Sequence, residues 1–259
     1  MAQSTGNARN ILVGASPLFL SVEDSTTSGY NSNLIPASHA SSNTATVTPA
    51  VAGTAARNTL VPSFKTGAAA GVGGTPAKIA GESYINTLNA LDTAAGVTGA
   101  AYRNVGYTNN GLQITYNPSY GSVTVDQLLD SAKLFKESME VMIATEMAEG
   151  TLENVLAVFG QSSKTLNSAD KELGLAAGAL GEAPVERQLI AVGQAPTSDA
   201  SSQTERVYYA RRVLSVQQSQ FSLARNAAST FPVTFRLLPS GDSAHEKKEY
   251  GIIVDRTWN

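Results

Sequence analysis

Between Met139 and Met147 the sequence "MEVMIATEM" alternates without a break. Met139, Val141, Ile143, Thr145 and Met147 fall on one face, and Glu140, Met142, Ala144 and Glu146 on the other. A sustained period of two is the mark of a strand with one buried face, and such a strand needs neighbours for its backbone. The period then changes. Gly150 and Thr151 break the strand, and Leu152, Val155, Leu156 and Phe159 recur at the spacing of a single helical stripe. Thr151 is suited to an N-cap, Glu149 and Glu153 to the positive end of the helix dipole, and Gly160 to the C′ position. The pattern predicts a strand followed by one short helix, about 151–159, lying as a lid over a sheet.

Most of the remaining chain punctuates into strands. "ILVGASPLFLSV" is apolar but broken by Gly14 and Pro17, which predicts an edge or kinked strand. "GLQITYNPSYGSVTV" reads as strand, turn, strand. "VYYARRVLSV", "FPVTFRLLP" and "YGIIVDR" follow, the last two joined as a hairpin by "SGDSAHEKKE". This predicts a mainly β chain, an antiparallel β-sandwich or barrel with one flanking helix.

Charge divides the chain in two. From Ser25 to Ala100 only five residues are charged (Arg57, Lys65, Lys78, Glu82 and Asp92), against thirty-one from Ala101 onward. The first stretch is rich in Ala, Ser, Thr and Gly and can bury little apolar surface to offset its ordering entropy. The expected organisation is a β domain from 1–24 and 101–259, interrupted by a 25–100 insertion of loop and weak strand. Within the insertion, Ile85, Leu88 and Leu91 share a face and predict a short helix.

The chain is poor in catalytic residue types. It has no cysteine and two histidines, His39 and His245, and its net charge is −3. This excludes disulfides and thiolate chemistry and argues against nucleic-acid or membrane binding by charge. "GAAAGVGGTPAK" lacks the Gly-Lys-Ser/Thr ending of a phosphate loop, and Pro76 stands where a dinucleotide fingerprint needs glycine. His245 with Asp242 and Glu246 reads as a polar turn before a metal site, and no nucleophile elbow is present. We therefore expect no enzyme, no cofactor and no metal. The N-terminus lacks a basic region followed by a long apolar run, so it reads as mature sequence made in the cytoplasm.

Five segments in order carry a resemblance: "ILVGASPLFLSV", "YRNVGYTNNGLQITYNP", "VTVDQLLDSAKLF", "MEVMIATEMAEGTLENVLAVFG" and "FPVTFRLLPSGDSAHEKKEYGIIVDR". Together they resemble the major tail tube proteins of long-tailed bacteriophages. The most specific pieces are "RNVGYT…GL" (Arg103 to Leu112), the Val125–Gln127 triplet and the "EGTLENV" junction. The 25–100 insertion is far longer than the loop usual there, so the resemblance assigns it no role.

The resemblance implies a virion structural protein of the tail, assembled in the host cytoplasm. Such subunits form hexameric rings that stack into a hollow conduit for genome ejection. DNA passes without specific binding, and the partners are further copies, a tape measure protein, a tail terminator and a baseplate or tail-tip protein. The alternative from another class is a capsid decoration or tail-tip binding module that displays the insertion.

Charge placement adds two expectations. Glu137, Glu140, Glu146, Glu149 and Glu153 form an acidic block without a base, while Arg206, Arg211, Arg212, Arg225 and Arg236 form an arginine block without an acid or lysine. Glu137, Glu149, Glu153 and the five arginines are candidate inter-subunit charge contacts, because arginine suits bidentate carboxylate pairing. The alternative is that both blocks are solvated or pair within one subunit. Glu140 and Glu146, on the polar side of their strand, are candidate lumen-facing residues, since a DNA conduit must not grip phosphate.

Overall fold

The computed structural model describes residues 16–21, 44–47, 59–62, 85, 102–124, 126, 130–167, 170–181, 184–196, 203–216, 229–241 and 246–258. Among them the chain is mainly β with one short helix. The strands are β1 (Leu18–Ser21), β2 (Thr44–Val47), β3 (Thr59–Pro62), β4 (Tyr102–Asn104), β5 (Thr108–Thr124), β6 (Ser131–Met147), β7 (Leu166–Asn167), β8 (Glu172–Leu173), β9 (Arg187–Gln194), β10 (Gln203–Ser215), β11 (Phe231–Leu237) and β12 (Gly251–Trp258). The helix, α1, is Leu152–Val158. Eight strands form one antiparallel sheet in the order β4-β1-β9-β10-β11-β6-β5, with β12 also on β10. Two small hairpins, β2–β3 and β7–β8, stand apart from it.

β10 organises this sheet. One edge pairs with β9 from Glu205 to Val213. The other carries β12 along Gln203–Ala210 and then β11 along Val213–Ser215. A bulge between Ala210 and Val213 separates the two partners, and a bulge both bends a strand and raises its twist. The closing segments therefore do not form a hairpin with each other, contrary to the sequence expectation. They lie end to end on one strand, and their connecting loop is closed locally by Ser240 N–H donating to the Glu249 carbonyl at 2.9 Å.

The bend lets the sheet fold over itself around a main core. Leu18 and Leu20 (β1) and Leu189 and Ala191 (β9) pack with Val141 and Ile143 (β6), Phe231, Val233 and Phe235 (β11), and Ala157 and Val158 (α1). The opposite face of β1 and β9 belongs to a second core of Phe19, Tyr102, Ile190, Val192, Val207 and Tyr209, joined by Ile252, Val254 and Ile85. Both faces of β1 and β9 are thus covered. β1 is an interior strand between β4 and β9, not an edge, and Pro17 lies just ahead of it. Ile85 has helical backbone; the rest of the short helix expected there, with Leu88 and Leu91, lies outside the described residues, as do both histidines.

β6 keeps its predicted faces: Val141, Ile143, Thr145 and Met147 are buried and the alternate residues half-buried. α1 also starts and stops as expected. Thr151 caps it, its hydroxyl accepting from Asn154 N–H, and Gly160 follows with φ 64. Its buried face differs from the predicted stripe. Asn154, Leu156, Ala157 and Val158 are buried while Phe159 is exposed. The cause is Asn154, whose hydrogen bonds turn that side of the helix inward.

A buried polar knot ties the second core. Gln188 Oε1 accepts from Tyr102 Oη at 2.6 Å and Tyr209 Oη at 3.2 Å, linking β4, β9 and β10. Replacing Gln188 with Leu removes the acceptor the two hydroxyls share. We predict a loss of about 2–3 kcal/mol, read as a lower urea midpoint with unchanged m-value.

Candidate assembly surface

β5 and β6 form a hairpin far longer than the sheet that supports it. β11 accompanies β6 only as far as the Arg236–Met142 pair. From Val141 to Ser131, β6 has β5 as its sole neighbour among the described residues. At roughly 3.3 Å per residue this stretch extends on the order of 35 Å. The sequence predicts a turn at "NPSYG", but β5 runs straight through it. Pro118 is tolerated because β5 is an edge strand with no ladder on its outer side. Gly121 leaves room for the Phe135 ring opposite, which would stand 2.6 Å from a Cβ there.

The arm continues the faces of the body. Ile114, Tyr116 and Pro118 stand opposite Ile143, Val141 and Met139, on the core side. Past a register shift at Glu137, Tyr120 and Ser122 stand opposite Lys136 and Leu134 on that same side. Among the described residues nothing buries them: Tyr116 is 64%, Tyr120 60% and Leu134 65% exposed. Lys136 Nζ sits 5.7 Å from the Tyr116 ring centroid and shields part of it. Phe135 and Val123 are exposed on the other face. An isolated two-stranded ribbon is marginal in water, and exposed apolar side chains beside a strand edge unpaired among the described residues make this a candidate association surface.

The body end of the β5–β6 hairpin, away from the arm, is locked by two motifs singled out in the sequence. "RNVGYT" and "EGTLENV" interlock around Asn154, which is fully buried. Asn154 Nδ2 donates to the Val105 and Glu149 carbonyls, each at 2.8 Å, and its Oδ1 accepts from Arg103 Nη2. Glu149 Oε1 accepts from Tyr107 N–H at 3.0 Å. The same carboxyl lies over Gly106, where a Cβ would be 2.1 Å from it, and Gly106 has φ +82. Glycine is required there on both counts.

Among the described residues the two charge blocks meet at one point, Arg236 Nε to Glu140 Oε1 at 3.7 Å. The other arginines are engaged within the chain. Arg206 forms a two-pronged bond to Asp255 at 2.5 and 2.7 Å, which raises the guanidinium pKa. Arg212 does the same with Glu186, at 2.7 Å on both prongs, and also donates to the Pro239 carbonyl. Arg211 is buried, donates to the Lys248 carbonyl and lies over the Tyr209 ring. Glu137 and Glu153 are exposed, and Arg225 is outside the described residues. Glu140 and Glu146 lie on the face of β6 opposite the core, Glu146 accepting from Asn109 Nδ2 at 3.4 Å.

Among the described residues no three His, Cys, Asp or Glu side chains converge as a metal site, and no helix is long and apolar enough to cross a membrane. No protein-family model and no curated protein matches this chain. The site is therefore read from its own geometry.

Asn154→Leu keeps the side chain's size but removes the three bonds that the Asn154 side chain makes to Arg103, Val105 and Glu149. It leaves the Val105 and Glu149 carbonyls and the Arg103 guanidinium to find other partners. We predict a cost of about 3 kcal/mol, measured as a drop in the denaturation midpoint.

Proposed function

We propose that this chain is a structural subunit that works by assembling with copies of itself, the subunit of a phage tail tube. The observation that carries this reading is the arm: a long ribbon, apolar on the face that continues the core, with an open strand edge along β5. Within one chain these groups stay wet. In a ring, a neighbour covers the apolar face and completes the edge, and head-to-tail stacking extends the array without closing it. The order of the sequence segments supports the tail tube in particular.

In this reading the subunits form stacked hexameric rings, and DNA moves through the bore unbound. The face of β6 that bears Glu140 and Glu146 is the proposed lining. Arg236 neutralises part of its charge, so the lining repels phosphate weakly and binds it nowhere. With Arg206, Arg212 and Arg236 held within the chain, Glu137 and Glu153 are, among the described candidates, the charges left to set register between subunits. Tape measure, terminator and baseplate or tail-tip proteins are the proposed end partners.

Full burial of a large apolar side chain contributes about 1.5–3 kcal/mol. The triple change Tyr116→Ser, Tyr120→Ser, Leu134→Ser thus weakens each contact by about 5 kcal/mol, while the exposed positions leave the fold nearly as stable. By negative-stain microscopy and sedimentation we expect hollow filaments from the wild type and none from the variant. Compact wild-type monomers or trimers would instead favour the display module. Assembly should also slow or accelerate with added salt as the glutamates are screened; a rate and extent that ignore salt would remove charge from the interface.

A further inference from the structure

We propose that Asn110 is a site of spontaneous deamidation, driven by the backbone nitrogen of Gly111 and controlled by the hydroxyl of Thr145. The inference stands whether or not the chain assembles.

The register shows how this pair is presented. Asn109 stands opposite Glu146 and Gln113 opposite Ala144, so Asn110, Gly111 and Leu112 together face Thr145 alone. The surplus residues bulge out of the ladder. Asn110 has φ 60 and Gly111 φ 66, consecutive left-handed conformations that Asn-Gly adopts more readily than other pairs. That preference accounts for the residues' presence; their chemistry follows from it.

Both residues are exposed. The Asn110 amide has no partner among the described residues, whereas four other asparagines are tied. Asn104 accepts from Gly106 N–H, Asn109 donates to Glu146, Asn154 is buried in its knot, and Asn167 bonds Asp170. A side chain on the following residue ordinarily obstructs attack on an asparagine amide. Gly111 has none, and no atom lies within 4 Å of where its Cβ would be. The bulge is held from the side by Thr145 Oγ1, which donates to the Gly111 carbonyl at 2.9 Å.

The step balances without any oxidant or cofactor. The Gly111 nitrogen gives up its proton to solvent and bonds to Asn110 Cγ. The Cγ–Nδ2 bond breaks as the leaving nitrogen takes a proton from solvent and departs as ammonia, leaving a cyclic imide. Water then opens one of the two imide C–N bonds, giving aspartate or, by the other cleavage, isoaspartate. Either product puts a new carboxylate beside Glu146 near the start of β5, and isoaspartate also lengthens the backbone by one methylene.

The test is to hold the purified full chain in mildly alkaline buffer. Peptide mass mapping and isoaspartyl methyltransferase labelling then follow the conversion. We expect the amide-to-acid mass gain on the Asn110 peptide with isoaspartate in excess, and none in Asn110→Gln. Thr145→Ala should convert about fivefold faster, matching the loss of one ordinary hydrogen bond, and Thr145→Ser should restore the wild-type rate. The proposal is overturned if Asn110 stays intact after a peptide of the same residues has converted. It is also overturned if conversion maps to other asparagines, or if Thr145→Ala leaves the rate unchanged.

Discussion

Everything in this fold hangs on one strand satisfying more neighbours than a regular strand can. β10 offers one edge to β9 and divides the other between β12 and β11. A straight strand would carry its partners in one surface. The irregularity at Arg211–Arg212 bends it, so β12 continues one half of the sheet while β11 leads into the other. The bend is held by side chains as well as by the ladder. Arg211 reaches the Lys248 carbonyl, and Arg212 grips Glu186 and the Pro239 carbonyl. Two long cations at successive positions are thus fastened to three separate segments. Only with this bend can β1 and β9 face β6 and β11 across a common core.

The arm is a consequence of where that support stops. β11 is short, and past Met142 the β5–β6 pair has no third strand among the described residues. Apolar side chains nevertheless persist on the core side as far as Leu134. Here the apolar pattern outlasts the core, and the interlocked motifs at Asn154 fasten the hairpin's other end to the body.

Much of this is legible in the sequence, for physical reasons that differ by element. β6 and α1 are plain because each has one buried face and so a clean period. The fold class follows from them and from the spacing of the later strands. β9 escapes that reading. "QLIAV" is buried on both faces, so it shows no alternation, only a short apolar run between Pro184 and Pro196 that could have marked it. The orientation of α1 is hidden because a buried Asn looks polar in a stripe; its place inside depends on Val105, Glu149 and Arg103, brought there by the fold. The length of β5 is obscured by Pro118 and Gly121, turn formers that an edge strand and a facing ring accommodate. Of the charge blocks, sequence marks their segregation but not their partners, because Asp255 and Glu186 come from outside both blocks. The arm could not be found at all, since exposure is a property of where other strands end.

The double coverage of β1 and β9 has a mechanical meaning. Leu189 and Ile190 are neighbours in sequence, yet they are bricks in opposite rooms, and these strands are the party wall. Denaturant cannot empty one room and leave the other standing, because the masonry is common to both. The body should therefore come down as a single building.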